Sequence, residues 1–310
     1  SPAQHASSAW PPQDRPVQII VSSPTISGKG DLVAKLIADQ LSSKLDGQFL
    51  IDNHSGTNGN IAAGIVAAAP PDGSRLLFAW AGTLAVNPSL YKKLNFDPQT
   101  SFEPIGLVAE APNILVVSNR MPVHSLTEFT DYVQAFPGVV NFASSGNGSA
   151  MHLAGQLYMN DTHTNMVHVP YSAPGLAITN LISGEIQSMY QLLPDILAQI
   201  KAGQVRPLAV MSAQRSATLP EIPTMLELGH PELISSSWFA LLAPKGTPAD
   251  IIKRVNSALN EILQDPDTRQ TLIAMGIVPL GGPPQDVDVL LASELKKWRG
   301  VVLDANIQPQ

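Results

Sequence analysis

Residues 17–41 read VQIIVSSPTISGKGDLVAKLIADQL. VQIIV has the composition of a buried strand, and in the run that follows Leu32, Leu36, Ile37 and Leu41 fall on one face of a helix. Strand, polar turn and helix in succession form the repeating unit of an α/β fold. The turn, SSPTISGKGD at residues 22–31, contains Gly28-Lys29 and invites comparison with a P-loop. That pattern needs a glycine five places before Gly28, for close backbone approach to phosphate, and a hydroxyl after the lysine, for Mg²⁺. Ser23 and Gly30 occupy those positions, so both requirements fail. Asp31 reads as an acidic residue in the first helical turn, where it complements the dipole.

The same alternation continues outward. Strands are expected at residues 49–52 and 75–79, with an Ala-rich helix at 61–69 that PPDG stops. A second series follows EAPN: strands at 114–118, 141–143, 166–169, 186–190 and 208–212, and helices at 125–135 and from Ala150, Pro174 and Pro194. SLTE at residues 125–128 reads as a capping box. After SSSWFALLAPKGTP three helical segments follow, 248–263, 266–275 and 285–304, with little strand signal between them. The expectation is two α/β lobes with largely parallel sheets: residues 13–112 plus 238–310 as the first, carrying both termini, and 113–237 as the second. Residues 1–12, polar and rich in proline and serine, read as a flexible leader left after a signal segment was removed.

Composition narrows the function classes. The 310-residue chain is 44% apolar, 14% charged and carries a formal net charge of -7, with its basic residues scattered. That argues against nucleic acid or an anionic membrane as the main partner. Absence of cysteine removes disulfides, thiolate metal sites and a cysteine nucleophile. The longest apolar runs are about half a membrane span. The seven histidines show no helical ligand pair, and neither a metal nor a cofactor is expected.

Three strand-to-helix loops are small, polar and almost uncharged: SSPTISGKGD, NHSGTNGNI at residues 53–61, and ASSGNGSAMH at residues 143–152. Such loops collect ligands in open sheets, because free N–H groups and the helix dipole point there. Ser144, Ser145 and Ser149 raise a serine-nucleophile reading, but SSGNGS is not a G-x-S-x-G elbow, and no acid is placed beside the nearby His152 or His168. The simpler reading is that these serines cap a helix and donate hydrogen bonds. Glycine, serine, threonine and asparagine at several helix N-termini suit a bound carboxylate without an arginine.

The chain resembles the Bug-type extracytoplasmic solute receptors, the binding proteins of tripartite tricarboxylate transporter systems. The resemblance runs from about Arg15 to Ile307 and rests on AAPPDGSRLLFA, VNPSLYKKLNFDP, FEPIGLVAEAPNILVVS, VNFASSGNGSAMHLAGQLY, MVHVPYSAPGLAITNLISGEIQSM, LPDILAQIKAGQVRPLAVMSAQRSATLPEIPTM and SSWFALLAPKGTP, in that order. It implies a two-lobed periplasmic binding protein fold, type II-like, with a cleft between two α/β domains. It further implies a monomeric periplasmic receptor, not an enzyme, that closes like a flytrap on a small carboxylate and presents it to a membrane transporter. Family positions carried over are Asn58, Gly59 and Asn60, then Ser144, Ser145, Gly146, Asn147, Gly148, Ser149 and His152, and Tyr171 of HVPY. The opening turn departs from the family's glycine-rich run. There Ser22, Ser23, Thr25, Ser27 and Gly28 are the expected ligand contacts, and Lys29 is expected to face water. Trp80 stands where the family often has a small residue and has two readings, an aromatic wall for the ligand or a packed core tryptophan. Two competing readings stay open: a hydrolase on the same scaffold, and an effector-sensing module, which lacks any helix-turn-helix segment or basic patch here.

Overall fold

The computed structural model describes residues 9–22, 29–54 and 56–310. In chain order the elements are β1 (Val17–Val21), α1 (Lys29–Leu45), β2 (Phe49–Asn53), α2 (Asn60–Ala67), β3 (Arg75–Trp80), a π-helical turn (Gly82–Val86) leading into α3 (Asn87–Leu90), β4 (Phe102–Ser118), α4 (Leu126–Ala135), β5 (Asn141–Ser144) and α5 (Ala150–Thr162). Then come β6 (Val167–Pro170), α6 (Pro174–Ser183), β7 (Ser188–Leu192), a 3₁₀ turn (Leu193–Asp195), α7 (Leu197–Lys201), β8 (Val205–Val210), β9 (Ser236–Pro244), α8 (Ala249–Gln264), α9 (Pro266–Ala274), β10 (Val278–Pro279) and α10 (Gln285–Asp304).

The chain divides into two compact units. The first holds Ser1–Ala109, Trp238–Gln270 and Pro279–Leu295, and the second holds Glu110–Ser237, Thr271–Val278 and Lys296–Gln310. In the first unit β1 pairs in parallel with β2 and β3, and β3 pairs antiparallel with β9. Consecutive residues of the inner strands are buried, Ile19 to Val21 on β1 and Leu76 to Ala79 on β3. That is what an inner strand covered by helices on both faces requires.

In the second unit β4 is flanked by β7 and β8, both antiparallel, while β5 lies parallel to β6 and β7. The period-two alternation of strand side chains divides β4 between two cores. Leu115 and Val117 join Phe129, Phe142, Tyr158 and Tyr190 on one face, and Ile114 and Val116 join Met189, Leu193 and Ile196 on the other. Asn113 is fully buried and paired at both ends of its amide: its Nδ2 donates to the Tyr190 carbonyl at 2.9 Å and its Oδ1 accepts from Ser235 Oγ at 2.8 Å.

Several expectations need correction. The sheets are mixed, since β4, β8 and β9 all pair antiparallel. β9 and the first half of β4, sequences that read as junctions, are strands. Residues 271–278 and 296–310, expected in the first lobe, belong to the second unit. Gly276 sits against the Leu193 side chain, Thr218 Oγ1 donates to the Ile273 carbonyl at 2.7 Å, and Asn160 Nδ2 donates to Asp304 Oδ2 at 2.9 Å. The leader is anchored from Trp10 rather than flexible to residue 12. Its indole N–H donates to the Gly73 carbonyl at 2.9 Å, and its ring meets Phe49 edge-on at 5.9 Å. The capping box at α4 forms with one change: Ser125 Oγ accepts from Glu128 N, and Glu128 Oε2 reaches back to the His124 N–H instead of that of Ser125.

Candidate functional site

In the first unit the NHSGTNGNI loop ends β2 and opens α2. Thr57, Asn58 and Gly59 lie in succession in the left-handed region, at φ 53, 53 and 89. A β-branched residue there is strained, by of order 1–3 kcal/mol, and such a bend persists only where its surroundings over-determine it. Those surroundings come from the end of β3 and the turn after it. The Asn58 carbonyl accepts from both Thr83 Oγ1 and Asn87 Nδ2 at 2.9 Å, and Asn87 Nδ2 also donates to Asn60 Oδ1 at 2.8 Å. The Asn58 side chain donates to the Tyr91 hydroxyl at 2.6 Å. A Cβ at Gly59 would stand 2.1 Å from Thr83 Oγ1 and 2.7 Å from the Ser22 carbonyl oxygen, so only glycine fits.

Ser22 is fully buried at the end of β1. Its Oγ accepts from the Trp80 N–H and shares a hydrogen bond with Thr83 Oγ1, each at 3.3 Å. It therefore ties β1, β3 and the π-helical turn together behind the loop rather than projecting freely as a ligand donor. The Trp80 indole, half-buried, lies against Gly82, where a Cβ would come within 2.3 Å of its ring. Its Nε1–H is buried and has no acceptor among the described residues. The other buried, unpartnered side-chain polar atom among the described residues is Asp31 Oδ1, in the first turn of α1. Ser23, Thr25, Ser27 and Gly28 lie outside the described residues, as does the Lys29 side chain.

In the second unit the SSGNGS loop joins β5 to α5. Gly146 and Gly148 take φ of 140 and 82. Ser149 caps α5, its Oγ accepting from His152 N at 3.3 Å. Ser144 does not cap. Its fully buried Oγ accepts from Gly146 N at 3.0 Å and meets His168 Nε2 at 2.5 Å. His168 comes from β6 and stacks face to face on His152, with ring centroids 3.7 Å apart and 3° between planes. His152 Nδ1 in turn accepts from Gly148 N at 3.0 Å. Ser145 is half-buried and Asn147 exposed, and neither side chain is engaged by another described residue. Tyr171 follows β6; its N–H donates to the Ser144 carbonyl at 2.9 Å and its hydroxyl accepts from Asn180 Nδ2 at 2.8 Å.

Burial pushes His152 down to about 4, and burial together with the facing His152 pushes His168 down to about 4. Both rings are neutral at pH 7. Between pH 6.5 and about 4 the unfolded chain binds protons that the folded chain does not, so stability falls as pH falls through that window and levels off below it. The expected loss is on the order of 1–3 kcal/mol for the pair, since both rings are partly reached by solvent and part of the His168 shift comes from His152. Urea unfolding at pH 7 and pH 4.5 checks it: the drop should shrink when both imidazoles are replaced by phenylalanine.

Sequence reasoning missed Thr83, Asn87 and Tyr91, and weighed His168 as a base. The polar Thr83 and Asn87, four apart in the apolar run WAGTLAVN, were the available signal for the first two.

A family model described as the tripartite tricarboxylate transporter family receptor matches residues 33–307. Protein BugT of Bordetella pertussis is 33% identical over 93% of this chain and 88% of its own. The structure of R. palustris Rpa4515 with adipate is 33% identical, with a TM-score of 0.83 over 97% of this chain and 100% of that one. MatC (Rpa3494) from Rhodopseudomonas palustris with bound malate is 29% identical, with a TM-score of 0.77 over 93% and 99%. A fold of two α/β lobes, neutral polar loops opening α2 and α5, and similarity spanning nearly the whole chain agree: the protein belongs to the tripartite tricarboxylate transporter receptor family, the Bug-type solute-binding proteins.

Proposed function

We propose that this chain is a periplasmic receptor that captures one small mono- or dicarboxylate, aliphatic or aromatic, by closing its two lobes on it. It then delivers the ligand to the membrane components of a tripartite tricarboxylate-type transporter. It works as a monomer, without catalysis. The observation that carries the reading is the Trp80 indole N–H, a buried donor with no acceptor among the described residues, at the end of the strand whose following turn holds residues 58–60, which carry no ionisable side chain. A buried unpaired donor costs about 1–3 kcal/mol, and a ligand oxygen would recover it. Relatives of the same architecture hold adipate and malate, which supports a carboxylate. The proposed contacts are Trp80 and residues 58–60 in one lobe, and residues 144–148, His152 and Tyr171 in the other.

Thermal-shift screening of a carboxylic-acid library that includes adipate and malate, followed by calorimetry, tests this. Stabilisation by at least one carboxylate is expected, and stabilisation only by sugars or cationic solutes contradicts it. Ser145→Ala should weaken that ligand about threefold to tenfold, the value of one hydrogen bond.

One contact favours a hydrolase instead, the 2.5 Å approach of Ser144 Oγ to His168 Nε2. Against it, Ser144 is fully buried, and no carboxylate among the described residues orients His168. Ester hydrolysis abolished by Ser144→Ala would restore that reading.

A further inference from the structure

His168 lies outside the proposed contact set, yet two points of the ligand loop depend on the ring pair it completes. The register of β5 on β6 places Phe142 beside His168, and α5 brings His152 over the same spot from its first turn. The two imidazoles then hold the loop at separate places. His168 holds the Ser144 hydroxyl at its start, and His152 Nδ1 holds the Gly148 N–H near its end. Between these points Gly146, at φ 140, has nothing within 4 Å of where a Cβ would be, so the middle of the loop is held by hydrogen bonds rather than side-chain packing: the Gly146 N–H donates to Ser144 Oγ at 3.0 Å, and its carbonyl accepts from the Ser149 N–H at 3.2 Å. We propose that His168 is a positioning residue: stacked on His152, it forms a neutral clamp that sets the ligand-binding conformation of residues 144–148, and protonation of the pair releases that loop. The proposal rests on the carboxylate-receptor reading for its consequence in binding, but not for the clamp itself.

The chemistry follows from the geometry. Because the Gly148 N–H donates to His152 Nδ1, that nitrogen carries a lone pair, and the proton of the neutral ring sits on Nε2. Protonating Nδ1 turns an acceptor into a donor facing another donor, which breaks the hold on Gly148. Two charged rings cannot remain stacked at 3.7 Å, so the pair resists a first proton and strongly resists a second. The ionisable groups around the pair are few. Behind Phe142, which contacts both rings, stand Tyr190 and Tyr158, whose phenols burial pushes up, Tyr158 to about 12. They stay neutral throughout the acid range. Among the described residues no carboxylate contributes to the behaviour of either imidazole.

The test uses the full chain in two arms. Nitrogen-15 spectra of the unliganded protein, titrated from pH 7 to pH 4, should show His152 protonated on Nε2 alone at pH 7. Both rings should titrate well below 6.5, with the amide signals of residues 145–148 moving in the same step. Rings that titrate near 6.5, or loop amides that stay still while the rings titrate, overturn the proposal. This arm needs no ligand, so it decides the clamp even if no carboxylate binds. In the second arm, calorimetry at pH 7 with adipate and malate compares two variants. His168→Phe keeps a ring to stack but loses the bond to Ser144, and should weaken binding about tenfold. His168→Gln places an amide nitrogen where Nε2 stood and should stay within about threefold of the wild type. Equal losses in the two variants, or no loss in His168→Phe, would contradict the positioning role.

Discussion

Gly59→Ala should lower the melting temperature by roughly 5–10 °C and remove measurable carboxylate binding. The backbone at Gly59 sits at φ 89, and an added Cβ would meet Thr83 Oγ1 at 2.1 Å and the Ser22 carbonyl oxygen at 2.7 Å. Left-handed strain contributes about 1 kcal/mol and forced overpacking about 1–3 kcal/mol more, and each kcal/mol moves a domain of this size by about 2–4 °C. The Ser22 carbonyl belongs to the buried strand end and cannot give way. Thr83 can move only by releasing the Asn58 carbonyl, which straightens the bend that presents α2. Gly203 separates the two causes, since it is left-handed at φ 72 with nothing within 4 Å. Gly203→Ala should show the conformational cost alone, a shift of a few degrees with binding intact. If the two variants melt together, the close approach at Gly59 has no energetic weight.

Trp80→Phe should move stability and affinity by unequal amounts. Truncating a well-packed tryptophan ordinarily costs several kcal/mol, but here it also removes a buried donor that has no acceptor among the described residues, which returns about 1–3 kcal/mol. The melting temperature of the unliganded variant should therefore lie within a few degrees of the wild type. Carboxylate affinity should fall about tenfold or more, because the indole N–H is the proposed donor to the ligand. A variant that melts far lower but binds as before would show that Trp80 is only packing for the turn at Gly82.

Much of this fold was legible in the sequence, because inner strands and amphipathic helices carry strong periodic signals. β1 was delimited correctly from VQIIV alone, and α10 from the apolar spacing of residues 285–304. β9 and the first half of β4 escaped, since strands that run from one unit into the other lie in changing surroundings and their apolar residues follow no single period. The C-terminal segment was placed in one lobe because nothing in a helical sequence says which neighbour it packs on. That depends on contacts such as Asn160 to Asp304, 144 residues apart.

The site was legible unevenly. Gly59 and the SSGNGS loop announced themselves through glycine and hydroxyl content. What holds them did not. Thr83 and Asn87 act on the Asn58 carbonyl from a π-helical turn, a geometry with no sequence signature. Ser22, read as a ligand donor, is occupied with its own neighbours. His168 meets His152 only because β6 lies beside β5, so a residue weighed as a catalytic base stands as half of a stacked pair.

A crystal structure of the protein with the tightest carboxylate from the screen tests the central claim most directly. The account predicts one ligand carboxylate within hydrogen-bond distance of main-chain N–H groups from both residues 58–60 and residues 144–148, an oxygen of the ligand on Trp80 Nε1, and no arginine in contact. A carboxylate paired with an arginine, or a ligand bound away from both loops with the Trp80 N–H still unpaired, would contradict it.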